Sequence, residues 1–172
     1  MRIVAGQWRG RTLVAPPGTT TRPTTDKVRE AVFNALGSLG LVDGALVVDL
    51  YAGSGALGFE ALSRGAAHCT FVERDRAALS AIEANRAELG AGEVTRVVNG
   101  DPLTMARGID ADLVFADPPY EFADWDRLLT GLAPESGFVV TEGPSTVAAP
   151  AGWVEVRAKR YGRTWVTFLE RS

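Results

Sequence analysis

Four acidic residues stand at or just beyond the ends of short apolar runs: Asp49 in "VVDL", Glu73 in "TFVE", Asp101 in "VVNGD" and Asp117 in "LVFAD". Carboxylates are costly at such places unless their oxygens accept hydrogen bonds, so each implies backbone or ligand donors nearby. The last is the most specific. Asp117 is followed by Pro118, Pro119 and Tyr120. The two prolines fix two φ angles and remove two donors, which makes a stiff turn whose carbonyls remain available as acceptors. Asp117 and the Pro118 carbonyl suit the hydrogens of an exocyclic base amine, and Tyr120 suits the ring plane. Such a site needs no metal and no covalent intermediate, because catalysis rests on placement.

The run ending in Asp49 continues into "YAGSGALG", where Gly53, Gly55 and Gly58 spell G-x-G-x-x-G. This spacing lets backbone turn tightly toward a ligand at a helix N-terminus, and it fits a nicotinamide dehydrogenase as well as a methyltransferase. Asp49 shifts the balance: a dinucleotide phosphate gains nothing from an anion there, whereas the ammonium of a methionine moiety does. Asp49 can equally hold the loop's own N–H groups. Glu73, 24 residues after Asp49, is placed to accept two ribose hydroxyls. Asp101 fits either the exocyclic amine of adenine or a helix N-cap with Pro102 at N1. Pro102 has no N–H, so a donor to adenine N1 must come from Leu103 or a neighbour. His68 and Cys69 lie too early in their run for catalysis and read as structural.

These residues require a scaffold that brings strand ends together. "ALVVDL", "CTFVE", "VTRVVN" and "ADLVFA" alternate with helical stretches such as "GALGFEALSRG" and "DRAALSAIEANRAELG". That alternation predicts β-α-β units and a parallel sheet covered on both faces, with ligands beyond the carboxyl ends of the strands. "GFVVTE", "WVEVRAKRY" and "RTWVTFLER" read as closing strands, the last two joined as a hairpin at Tyr161-Gly162-Arg163. Upstream, "RIVAGQWRGRTLV" predicts a hairpin. A helix is expected to start near Asp26, capped by Thr24 or Thr25.

At 172 residues the chain is expected to be one domain. Charged residues make up 23%, and no apolar run approaches a membrane span or a secretory leader, so the cytoplasm is the expected compartment. A single cysteine excludes a disulfide framework. The net charge of −3 hides an asymmetry: residues 1–29 hold six basic side chains against one acid, a local +5, leaving −8 elsewhere. A second basic cluster comprises Arg157, Lys159, Arg160 and Arg163. Segregation of this kind marks a polyanion footprint or a solvated face.

"DLYAGSGALGFEA", "VERD", "NGD" and "DPPY", in that order, resemble the motifs of class I S-adenosylmethionine-dependent methyltransferases that act on exocyclic base amines. "RIVAGQWRGRTL", "RPTTDKVREAVFNAL" and "YGRTWVTF" further resemble the RsmD family, small-subunit (16S) ribosomal RNA guanine-N2 methyltransferases. The likeness covers nearly the whole chain. It departs from the family pattern at Tyr120, often phenylalanine, and at Pro102.

The resemblance implies an α/β class I methyltransferase fold with a Rossmann-like, seven-stranded, mostly parallel sheet whose last strand is antiparallel. A β-hairpin extension over residues 1–25 would act as an RNA-binding arm on a methyltransferase domain over residues 26–172. S-adenosylmethionine would be held by Asp49, Tyr51, Ala52, Gly53, Ser54, Gly55, Gly58, Glu73, Arg74, Asp101, Pro102 and Leu103. Asp117, Pro118, Pro119 and Tyr120 would carry catalysis, with no metal. Trp8, Arg9, Arg11, Arg22, Thr24, Lys27 and Arg29 would meet RNA. The implied partner is 16S rRNA in a 30S subunit, with the protein a monomer that needs no protein partner. Two other functions fit the same residues: adenine-N6 methylation of DNA or RNA, and a non-catalytic RNA-binding assembly factor.

Overall fold

The computed structural model of the chain describes residues 1–18 and 25–172. The chain forms seven strands: β1 (Leu46–Leu50), β2 (His68–Glu73), β3 (Thr95–Asn99), β4 (Leu113–Ala116), β5 (Phe138–Gly143), β6 (Trp153–Tyr161) and β7 (Thr164–Arg171). They make one sheet in the order β3-β2-β1-β4-β5-β7-β6. β1 to β5 are parallel, and β7 runs antiparallel to both β5 and β6. The sheet is therefore mostly parallel with the last strand reversed, as the sequence predicts.

Helices α1 (Asp26–Ser38), α2 (Ala56–Ser63), α3 (Arg76–Glu88), α4 (Pro102–Met105) and α5 (Trp125–Gly131) cover it. Alternate residues of the central strands face opposite ways, so one continuous apolar run feeds two cores. Val47, Phe71 and Phe115 join Phe33 of α1, Phe59 of α2 and Ile82 of α3. Val48, Val72 and Val114 join Leu128 and Leu129 of α5. The helices start where side-chain oxygens take orphan N–H groups: Thr25 accepts from Val28 N–H at 3.3 Å, and Asp75 from Ala78 N–H at 2.9 Å.

The first segment folds back through an Arg2–Thr12 bridge, with Ile3 N–H donating to the Arg11 carbonyl and Leu13 N–H to the Met1 carbonyl, both at 3.0 Å. This short hairpin is fastened to α2. Ile3 and Leu13 are buried in the first core, and Gln7 N–H donates to the Ser63 carbonyl at 2.8 Å.

The register pairs Leu50 with both Val72 and Ala116, and Glu73 with Asn99. The carboxyl ends of β1, β2, β3 and β4 thus lie side by side. Strand order reverses beside β1, whose neighbours are β2 and β4, and a ligand crevice forms at such a switch point.

Candidate active site

The loop after β1 is built around Asp49, which is 2% exposed and accepts from Gly58 N–H at 2.9 Å. Holding the loop's own backbone is therefore one role that Asp49 performs. Burial pushes its carboxyl up to about 8, against the Gly58 bond, with the charge of Glu73 adding to the rise. A raised acid pKa means that the folded chain keeps a proton which the unfolded chain releases above its ordinary value of 3.8. Stability is then full below that value, falls as pH rises toward about 8, and levels off above it. Asp49→Asn cannot titrate, so its urea midpoint should fall less between pH 5 and pH 8 than the wild-type midpoint. Parallel curves would contradict the assignment.

The three loop glycines serve different needs. Gly53 has φ +58° and open space where a Cβ would stand, so backbone is bare toward the crevice. Gly55 adopts φ +79° as the N-cap of α2. At Gly58 a Cβ would lie 2.3 Å from the Phe71 ring and 2.5 Å from Cys69 Sγ, so this glycine seats α2 on β2. Gly58→Ala should cost about 1–3 kcal/mol in urea unfolding through overpacking. A neutral substitution would show that α2 shifts freely. Cys69 is fully buried and burial pushes its thiol well above the ordinary range, in keeping with a structural role.

Tyr51 holds φ +59°, a left-handed conformation that is strained for a non-glycine residue. Its ring packs edge-on against Phe122 at 5.5 Å. Burial pushes its phenol up to about 12, with the Asp101 charge next in effect. Ala52 is buried and its N–H donates to the Val72 carbonyl at 3.3 Å. Ser54 is buried with its hydroxyl on Met1 Sδ at 3.5 Å, and its carbonyl accepts from Asn85 at 3.0 Å.

Glu73 is buried and accepts three backbone N–H bonds, from Gly53 at 2.9 Å, Arg74 at 2.7 Å and Asp75 at 2.9 Å. It joins the ends of β1 and β2. Arg74 is exposed. Asp101 occupies the N-cap of α4 with Pro102 at N1, but its side chain caps no N–H and instead accepts from Thr104 Oγ1 at 3.0 Å. Pro102 is buried and Leu103 partly so.

Beyond β4, Asp117 is partly buried and Pro118 buried, while Pro119 and Tyr120 are exposed. Phe122 N–H donates to the Pro119 carbonyl at 2.9 Å and closes the turn. Tyr120 is 46% exposed, which leaves ring area for stacking. Its hydroxyl lies 3.4 Å from Thr164 Oγ1 at the start of β7. Tyr51, Phe122 and Trp125 form an aromatic row beside this turn, with the Phe122 and Trp125 rings 4.9 Å apart.

The residues expected to meet RNA do not behave alike. Arg9 and Lys27 are exposed, and Trp8 is half-buried against the first core. Arg11 pairs with Glu88 at 2.9 Å on the surface. Arg22 and Thr24 lie outside the described residues. Arg29 requires a correction. It is 0% exposed, bonded to Asp26 at 2.8 Å, to Glu60 at 3.3 Å and to the Arg2 carbonyl, so its charge is spent inside the fold and reaches no phosphate.

Sequence reasoning missed Glu60, Asn85, Phe122 and Thr164. Glu60 accepts from Val4, Ala5, Arg29 and Arg64. An acid inside the apolar stretch "GFEALS" was the signal. Asn85 clamps the N-terminal segment, accepting from Val14 N–H at 2.7 Å and donating to its carbonyl at 2.9 Å.

A sheet of this order, with a reversed last strand and acidic residues at the ends of four parallel strands, defines a class I methyltransferase. The family model described as "Conserved hypothetical protein 95" matches residues 1–170. Ribosomal RNA small subunit methyltransferase D of Escherichia coli (strain K12) is 38% identical, covering 100% of this chain and 90% of that protein. The Haemophilus influenzae protein of the same name is 33% identical over 94% of this chain and 89% of its own. The solved structure of Escherichia coli yhhF, also 38% identical, superposes with a TM-score of 0.87 over 100% of this chain and 98% of that one. The chain belongs to this family, the RsmD family.

Proposed function

We propose that the protein is an S-adenosylmethionine-dependent methyltransferase acting on the exocyclic N2 of one guanine in 16S rRNA, as a cytoplasmic monomer that meets an assembled or assembling 30S particle. The observation that carries this reading is the Asp117-Pro118-Pro119-Tyr120 turn at the end of β4, beside the loop that follows β1. The printed names of the relatives support ribosomal RNA as the substrate class.

The crevice residues fit the cofactor. Gly53 offers bare backbone, Glu73 keeps one acceptor position for a hydroxyl beside its three backbone bonds, Asp101 offers a carboxylate for an amine, and Asp49 is a buried carboxyl that an arriving ammonium would drive toward its ionised form. Bound there, S-adenosylmethionine supplies an electrophilic methyl group. The chain's own task is to present a nitrogen lone pair to it. Asp117 and the Pro118 carbonyl accept the amine hydrogens and turn the lone pair out of conjugation, Tyr120 holds the ring plane, and Asp117 takes up the proton lost from nitrogen. Guanine's adjacent N1–H and N2–H donors match an acceptor-only carboxylate, whereas adenine offers one donor beside an acceptor.

Incubating the protein and cofactor separately with 16S rRNA, 30S particles and DNA, then identifying the methylated nucleoside, tests the reading. N2-methylguanosine from RNA is the expected product. N6-methyladenine would establish the adenine alternative, and no methylated nucleoside from any substrate would favour a non-catalytic binder.

A further inference from the structure

The β6–β7 hairpin carries charge that no carboxylate of the described residues neutralises, although Lys159 Nζ lies over the Tyr161 ring at 5.1 Å. From position 157 to 164 it reads "RAKRYGRT", with Arg157, Lys159, Arg160 and Arg163 and no acid. All four are exposed. Among the described residues, none of the four lies within ion-pair distance of a carboxylate, while Arg11, Arg29, Arg64 and Arg86 each do. Four unpaired cations concentrated on a chain of net charge −3 create a local positive field.

Protection of an edge strand is the plain alternative, because β6 closes the sheet and charged side chains there discourage pairing with another chain. It accounts for Arg157 and Lys159 along the strand. It gives no reason for Arg163, in the turn between Tyr161 and Thr164, nor for where the tip lies.

Position decides the matter. Thr164, one residue after Arg163, is buried with its hydroxyl 3.4 Å from the Tyr120 hydroxyl. Arg160 Nε donates to the Gly162 carbonyl at 3.0 Å, which braces one guanidinium across the turn. The tip is therefore tethered to the ring proposed to hold the target base. A phosphate flanking a base held at Tyr120 would come within reach of that tip. Guanidinium forks suit phosphate oxygens.

We propose that the β6–β7 tip is an RNA-phosphate site, with Arg160, braced across the turn, and Arg163 gripping the backbone beside the target nucleotide. The proposal rests on the RNA substrate reading above. Arg160→Ala/Arg163→Ala should raise KM for 16S rRNA about tenfold or more, with kcat at saturating RNA within about twofold and cofactor Kd unchanged. Losing two phosphate contacts should also lower the slope of log affinity against log salt by about 1.4. The double Arg→Lys variant should recover most of the KM and the slope, which a merely structural role would not predict.

If the double alanine variant misfolds, Arg163→Glu carries the test, with an expected rise in KM larger than for neutralisation. KM and salt slope equal to wild type, or lost binding only to vesicles containing anionic phosphatidylserine, would overturn the proposal. A wild-type protein that methylates no RNA would overturn the proposed function first. A wild type that methylates beside an unaffected variant would overturn this inference alone.

Discussion

Asp117→Asn is expected to lower kcat/KM for methyl transfer about 10²–10³-fold, or about 2.7–4 kcal/mol of transition-state stabilisation. Asparagine keeps the shape of the side chain but turns part of an acceptor into a donor, facing an amine that itself donates. It also cannot take up the departing proton. Cofactor Kd should stay within about twofold, because Asp117 lies past β4 while the loop proposed for the cofactor follows β1. RNA affinity should change little. The loss therefore belongs in kcat rather than KM, and single-turnover methylation at saturating RNA separates the two. A variant as fast as wild type would mean that the carboxylate does not touch the amine.

Glu60→Ala is expected to cost about 3–5 kcal/mol of folding stability, the usual effect of removing one member of a buried ion pair. Both partners in the Arg29–Glu60 pair have side chains 0% exposed. The same carboxylate accepts from Val4 N–H at 2.8 Å, Ala5 N–H at 3.0 Å and Arg64 Nε at 2.8 Å. Its removal leaves Arg29 buried with, among the described residues, the half-exposed Asp26 as its remaining counter-ion, and it frees two backbone donors. Against a typical total of about 5–15 kcal/mol, that is a large share. Urea unfolding measures the loss, and hydrogen exchange at Val4 and Ala5 should accelerate beyond the global change. A loss below about 1 kcal/mol would show that water replaces the carboxylate.

What the chain discloses about itself follows the range of each interaction. The parallel strands β1 to β5 were readable because each is a local apolar run, and the two-sided burial of a parallel sheet makes such runs continuous, whereas β6, exposed and charged, was readable from its hairpin turn with β7. Asp49, Glu73, Asp101 and Asp117 were readable because a carboxylate at a strand end is conspicuous in a window of a few residues. Their partners were not. Asp49 bonds Gly58 nine positions on, and Glu73 bonds Gly53 twenty positions back, so the division between loop support and ligand contact needed the fold.

Arg29 illustrates the limit most clearly. On a helix whose neighbours include Lys27, it reads as part of a basic arm. Its burial depends on Glu60, 31 positions away, and on the Arg2 carbonyl, 27 positions back. No periodicity in α1 encodes either partner. Thr164 beside Tyr120 is the same kind of contact at a separation of 44, and it links the C-terminal basic cluster to the proposed target base.

If this crevice methylates one guanine of small-subunit ribosomal RNA, that mark depends on the protein in the cell. Mass-spectrometric mapping of methyl groups on 16S rRNA from cells with and without the protein tests it most directly. The expected result is the loss of a single N2-methylguanosine, restored by the wild-type chain and not by Asp117→Asn. An unchanged methylation map would contradict it.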